Sequence, residues 1–210
     1  MAPLPSSRLP GHRALHERAL AALERCQERE DIEFKEAAAW LDLRWRITGT
    51  VLGMGNLRDG GVVLVGASER GDSWELTGVQ DAQLASYDPD IIADQVNAYV
   101  SPYVDLDVVL LSHEAQRYVL IGVKEFRETP LVCRKNGPDK SGLIEGRIYL
   151  RPPGRPRTTQ VQDARELHDL LELAAEKRAR RILETSRRIG LSARDKEAAA
   201  DMYDRELRGL

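Results

Sequence analysis

The sequence predicts an α+β fold: a single mixed β-sheet flanked by helices, followed by a C-terminal helical extension. Three observations carry this expectation. Val62-Val63-Leu64-Val65-Gly66 is an unbroken apolar run, the mark of a strand buried on both faces. Apolar residues at three- and four-residue spacing mark helices near both ends of the chain. Between them the elements run helix, strand, strand, helix, several strands, helices, which is neither regular βαβ alternation nor an all-β order.

Each element has its own signal. Residues 1–11 hold three prolines and one glycine and read as a flexible lead. Leu15, Ala19, Ala22, Leu23 and Cys26 give a helix over 12–29. Ile32-Glu33-Phe34-Lys35 alternates as a strand does. Ala37–Arg46 mixes both periods and stays ambiguous, Thr50–Met54 ends a helix, and Asn56–Gly61 is a loop. After the buried run, Glu75–Val79 suits a short strand. Asp88 caps a helix that begins at Pro89 and carries Ile91, Ile92, Val96 and Tyr99 on its apolar side; Pro102 stops it. Val104–Leu111 and Tyr118–Val123 form a strand pair around a turn at Ser112–Arg117. Leu131–Arg134 and Arg147–Leu150 are two more strands, separated by the turn-rich stretch Lys135–Gly142. Three prolines keep Arg151–Arg157 extended. Leu167, Leu170, Leu171, Ala174, Ala175, Ile182 and Leu183 stripe a helix over 162–189, Gly190 closes it, and Ser192 opens a last helix to about Arg208. The domain then spans 12–160 and the extension 161–210.

Composition narrows the class. The 42% hydrophobic and 31% charged residues fit a chain with a real core, and no apolar run reaches the roughly 20 residues of a membrane span. Cys26 and Cys133 are far apart, no CxxC is present, and the four His are scattered, so a zinc site is not expected. With no signal-peptide pattern at the N-terminus, the expected location is the cytoplasm, and the Arg/Ala/Leu-rich composition suggests a bacterial source. The net charge of −3 hides an asymmetry. Glu69–Glu114 holds ten acidic residues against Arg70 alone, whereas Lys124–Arg157 holds nine basic and four acidic. Such segregation gives one face the charge to hold a polyanion. The plainer reading is two solvated loops of opposite sign.

Four stretches, in order, resemble the AlbA_2 domain of Schlafen-related proteins over about residues 28–160. They are Glu28–Lys35 with its acidic lead into "EFK", Asn56–Gly66 ("NLRDGGVVLVG"), Gly78-Val79, and Tyr149-Leu150-Arg151 followed by Thr158-Thr159. The chain departs from the family where Met54-Gly55-Asn56 stands for "FAN" and where Glu69 is the nearest acidic residue after the buried strand.

The resemblance implies three carboxylates that hold Mg²⁺ or Mn²⁺ beside a basic groove, which maps here onto Glu28, Glu33 and Glu69. The chemistry is coherent: a hard divalent ion takes carboxylate oxygens, polarises a phosphodiester and lowers the pKa of a bound water. Lys35 lies two residues past Glu33, so on a strand both share a face, where the lysine can meet the phosphate. Lys124, Arg134, Lys135, Lys140, Arg147, Arg151, Arg155 and Arg157 are the expected phosphate contacts. Tyr149 is read as packing rather than a stacking platform. The plainer reading of Glu28, Glu30, Asp31 and Glu33 is a helix end and a strand edge.

The basic stretches Lys177–Arg181 and Arg187-Arg188 ride on the amphipathic helix, where Glu176 and Glu184 supply i,i+4 partners. Two Schlafen lobes make one groove, so the resemblance implies a homodimer, with helix 162–189 as its element. The expected function is nucleic-acid binding with metal-dependent RNase or DNase chemistry. The rivals are a non-catalytic DNA-binding regulator and a protein-interaction subunit of a defence or toxin system.

Overall fold

The structure, a computed structural model, describes residues 10–71, 73–154 and 156–188, with side chains from Glu17 onward. Its elements are α1 (Pro10–Arg25), β1 (Ile32–Lys35), α2 (Trp40–Gly55), β2 (Gly61–Val65), β3 (Ala67–Arg70), β4 (Ser73–Leu76), α3 (Asp81–Leu84), α4 (Pro89–Asn97), β5 (Val100–Ser101), β6 (Leu106–His113), β7 (Gln116–Val123), β8 (Val132–Cys133), β9 (Tyr149–Leu150), β10 (Thr159–Gln160) and α5 (Ala164–Arg188). Arg155, the Gly190 cap, the expected helix from Ser192 and most of the expected lead lie outside the described residues.

The main sheet runs β1-β2-β7-β6, with β1 and β2 parallel and the other pairs antiparallel. This is the mixed sheet with flanking helices that the sequence predicts. Helix α2 is the crossover that parallel pairing requires. All five residues of β2 are buried, because helices cover both faces of the sheet. The two-residue period then divides them. Val62 and Leu64 join Ile32, Phe34 and Leu120 against Ala19, Ala22 and Leu23 of α1. Val63 and Val65 join Val119 and Ile121 against Leu43, Ile47 and Val51 of α2 and Ile92 and Val96 of α4.

Several boundaries move. Helix α1 starts at Pro10 and stops at Arg25, where Cys26 turns to φ 46. The ambiguous stretch before residue 46 enters α2, whose interior is buried along Leu43, Ile47 and Val51. The strand expected at Glu75–Val79 is β4, paired with β3, a strand the pattern does not announce. At Pro89 the reading holds: Asp88 Oδ1 accepts from the N–H groups of Asp90 (3.0 Å) and Ile91 (3.1 Å). The β6–β7 turn is two residues, Glu114 and Ala115, both at positive φ as a twisted hairpin requires.

The segment after β7 is irregular and is tied down from α2. Asn56, 3% exposed, donates from Nδ2 to the carbonyls of Leu131 (2.9 Å) and Tyr149 (3.0 Å) and accepts from Leu131 N–H at 2.7 Å. At Gly53 a Cβ would lie 2.9 Å from Thr158 Cγ2 and 3.1 Å from Arg151 Cγ, so its absence lets α2 sit against the Arg151–Thr158 segment.

Helix α5 closes the described chain. Leu170 is buried, and ion pairs from Arg58 to Glu176 (2.6 Å), Lys177 to Glu125 (2.5 Å) and Arg181 to Glu128 dock the helix further along. The Lys177–Arg181 run is thus partly committed to this docking, and the i,i+4 pair Glu176–Arg180 forms at 3.0 Å. No described helix is long and apolar enough to cross a membrane.

Candidate nucleic-acid interface

A cavity of about 500 Å³ opens where β1, α2, the β3–β4 hairpin and the segment after β8 meet. Glu28, Glu33, Lys35 and Glu69 all line it, so the fold gathers the four expected catalytic positions around one space. The strand period puts Ile32 and Phe34 under α1, which turns Glu33 and Lys35 toward α2, on one face as the spacing predicts.

Glu33 is 8% exposed, and both its oxygens are taken. Lys35 Nζ pairs with Oε1 and Arg151 Nη1 with Oε2. Thr50 Oγ1 lies 3.1 Å from Oε1 and 3.1 Å from the Arg46 carbonyl, and shares its proton between them. Burial pushes the Glu33 carboxyl up, but the pull of Lys35 and Arg151 and their hydrogen bonds outweighs it and holds it below its ordinary value.

Arg151 corrects the sequence reading. Expected on the phosphate surface, its side chain is 0% exposed. Its Nε donates to the Glu30 carbonyl at 2.6 Å and its Nη2 to the Arg29 carbonyl at 3.1 Å. The guanidinium therefore staples the last motif to the first and has no face left for a phosphate.

Glu28 is half-buried, and its Oε1 accepts the Phe34 N–H at 2.8 Å. Burial raises its carboxyl above the ordinary value, outweighing that hydrogen bond, and the charge of Glu33 adds to the rise. Glu69 is exposed on β3, directly opposite Trp74 on β4. Among the described residues no three His, Cys, Asp or Glu side chains are arranged to hold a metal ion. Both Glu33 oxygens are held by cations, so an ion held by Glu28, Glu33 and Glu69 would first have to displace Lys35 or Arg151.

The remaining expected phosphate contacts divide. Arg134, Lys135, Lys140, Arg147 and Arg157 are exposed and make no ion pair among the described residues. Of the five, Arg157 lines the cavity and Lys140 directly precedes its lining residues Ser141, Gly142 and Leu143, whereas Lys135 sits over Tyr99, which lines a neighbouring depression. Lys124 lies apart, 3.4 Å from Asp107, in a separate depression with Asp59, Glu125 and Lys177. Tyr149 is packing, as expected: it is 5% exposed, and its hydroxyl donates to the Gly142 carbonyl at 2.6 Å and accepts from Ile144 N–H at 2.9 Å.

Sequence reasoning missed the aromatic lining. Trp45 and Trp74 both reach the cavity, with Arg46 beside them. The Arg44 guanidinium sits 4.3 Å over the Trp45 ring, Tyr99 meets Trp45 edge-on at 5.0 Å, and Lys135 Nζ sits 4.3 Å over Tyr99. The signal was present in Arg44-Trp45-Arg46, an aromatic between cations. Its ambiguous period hid which side faces out.

The Schlafen, AlbA_2 family model matches residues 28–157. No curated protein matches the chain. Among solved structures, the DIP2311 protein from Corynebacterium diphtheriae is similar at 17% identity and TM-score 0.48, over 72% of this chain and 32% of that one. The N-terminal domain of a RecG-related protein from Nitrosomonas europaea is similar at 19% identity and TM-score 0.44, over 71% of this chain and 92% of that one. The chain thus spans about a third of the first neighbour's length.

Proposed function

The chain belongs to the Schlafen AlbA_2 family, and on that premise we propose that it binds nucleic acid across the cavity mouth, its phosphates on Arg134, Lys135, Lys140, Arg147 and Arg157. One observation carries the reading: these five cations, all from the stretch 134–157, are exposed and form no ion pair among the described residues, and Arg157 lines the cavity, while Arg151 of the same stretch is buried in an ion pair. Cations without carboxylate partners are those free to neutralise phosphate and release its counterions. Such contacts position a strand without reading its sequence.

The test is fluorescence anisotropy with labelled RNA, single-stranded DNA and duplex DNA over a salt series. Binding should weaken as salt rises. Arg134→Glu, Lys135→Glu and Arg157→Glu should each weaken it on every sequence and flatten the log–log salt slope by about 0.7 to 0.9. Absence of binding to all three polymers overturns the reading.

A second reading, a Mg²⁺- or Mn²⁺-dependent endonuclease using Glu28, Glu33, Glu69 and Lys35, draws support from the shared cavity they line. It requires Glu33 to release a cation partner. Cleavage that needs Mn²⁺, stops in EDTA and is lost in Glu69→Ala supports it; Glu69 is exposed, so that variant spares the fold. Self-association draws support from α5, where Leu171, Ile182 and Leu183 are 51%, 58% and 59% exposed. Sedimentation equilibrium with Ile182→Glu tests it.

A further inference from the structure

We propose that the cavity receives one unpaired nucleobase, stacked on Trp45 and Trp74, with its polar edge toward Glu28 and Glu69 and its flanking phosphates on Arg46 and Arg157. The inference deepens the nucleic-acid reading and rests on it. The first argument is the order of charges. Glu28, Glu36 and Glu69 contribute carboxylates to the lining, and Glu33 is neutralised by two cations. A phosphate pushed inside would meet unneutralised carboxylates, so the phosphates belong with the exposed Arg46 and Arg157. A nucleobase has no charge to repel, and the amino groups of cytosine and adenine donate to carboxylates, whereas thymine offers a carbonyl at that edge.

The second argument is the lining itself. Trp45 comes from α2 and Trp74 from the β3–β4 hairpin, and both are partly exposed rather than buried like Trp40. Aromatic faces with cations nearby for the backbone are how single strands are held, and here Arg46 and Arg157 supply those cations. Both rings are held in place beforehand. Arg44 and Tyr99 brace Trp45, and the Phe34 ring sits 5.5 Å from Trp74. A braced platform loses little side-chain entropy when a base arrives. A volume of about 500 Å³ is that of a small-molecule pocket, which a single base enters and a stacked duplex does not.

The test compares short oligo-dC, oligo-dT, an abasic oligonucleotide of equal length and a duplex, by anisotropy and by quenching of tryptophan fluorescence. Oligo-dC should bind tightest, above oligo-dT, with the abasic strand and the duplex weaker than either. Trp74→Leu keeps apolar volume against Phe34 but removes the stacking face; it should weaken oligo-dC by roughly 5- to 150-fold and leave the abasic strand unchanged. Trp74→Phe should restore most of the affinity, and Trp45→Leu should repeat the loss. Unchanged abasic binding shows that the variants are folded. If abasic and base-bearing strands bind alike, the pocket inference falls while the nucleic-acid reading stands. Equal binding of oligo-dC and oligo-dT overturns the edge assignment. If no strand binds, the parent reading falls with it.

Discussion

Replacing Arg151 with methionine removes a buried charge while keeping most of the side chain's length. The guanidinium is fully enclosed and reaches one oxygen of Glu33 and the backbone carbonyls of Glu30 and Arg29. Without it, Glu33 keeps only Lys35 as a charged partner, and the Glu30 carbonyl loses a donor, while the Arg29 carbonyl keeps the Ile32 N–H. Removing one member of a buried pair costs about 3–5 kcal/mol, because the survivor stays desolvated. The Lys35 pair lessens this and the lost hydrogen bond to the Glu30 carbonyl adds to it, so about 3–5 kcal/mol is the expected loss for Arg151→Met. Against a typical domain stability of about 5–15 kcal/mol, that is a large share. Urea unfolding followed by circular dichroism reads it directly.

The double variant Glu33→Gln/Arg151→Met should lose less than the sum of the single variants, with a coupling on the order of 2 kcal/mol. The pH dependence follows from the depressed Glu33 carboxyl. A carboxyl with a lowered folded-state pKa stabilises above its unfolded value and loses that contribution as pH falls through the folded value. Wild-type stability should therefore fall on acidification below its ordinary value of 4.5, and more steeply than that of Arg151→Met. A loss below about 1 kcal/mol, or additive single variants, would refute the buried pair as the clasp between the two ends of the domain.

Asn56→Ala removes three buried hydrogen bonds to Leu131 and Tyr149. It should destabilise by about 2–4 kcal/mol in the same unfolding assay and speed hydrogen exchange at the Leu131 amide. Gly60→Ala places a Cβ onto the Val123 carbonyl oxygen at φ +64, so a loss of roughly 3 kcal/mol or more, or failure to fold, is expected; a Tm within a few degrees of wild type would contradict it. For α5, Leu170→Ala should cost about 2–4 kcal/mol or undock the helix, because Leu170 is 3% exposed. Arg58→Ala should leave the unfolding midpoint close to that of the wild type, because the Arg58–Glu176 pair lies in solvent. Comparable effects of these two variants would mean that ion pairs, not burial, hold the helix.

The periodicities that came through were those set by one dominant environment. Val62–Val65 could only be a strand covered on both faces, and Asp88-Pro89 could only open a helix, because local sterics and capping decide both. Residues 37–46 were not readable, since Trp40 faces the core and Trp45 the cavity, and the two aromatics blur a single period. The motif order Glu33, Asn56, Tyr149, Arg151 was visible in the chain, and so was the family. That Arg151 lies inside and Arg157 outside was not. Both are arginines in one proline-rich stretch, and local composition carries no sign of which one another segment encloses. Sequence alone determined the elements whose partners are near neighbours or solvent. Tertiary structure decided which charges meet: Glu33 and Arg151 lie 118 positions apart, and only closure of the fold turns a solvated carboxylate and a candidate phosphate ligand into one buried pair.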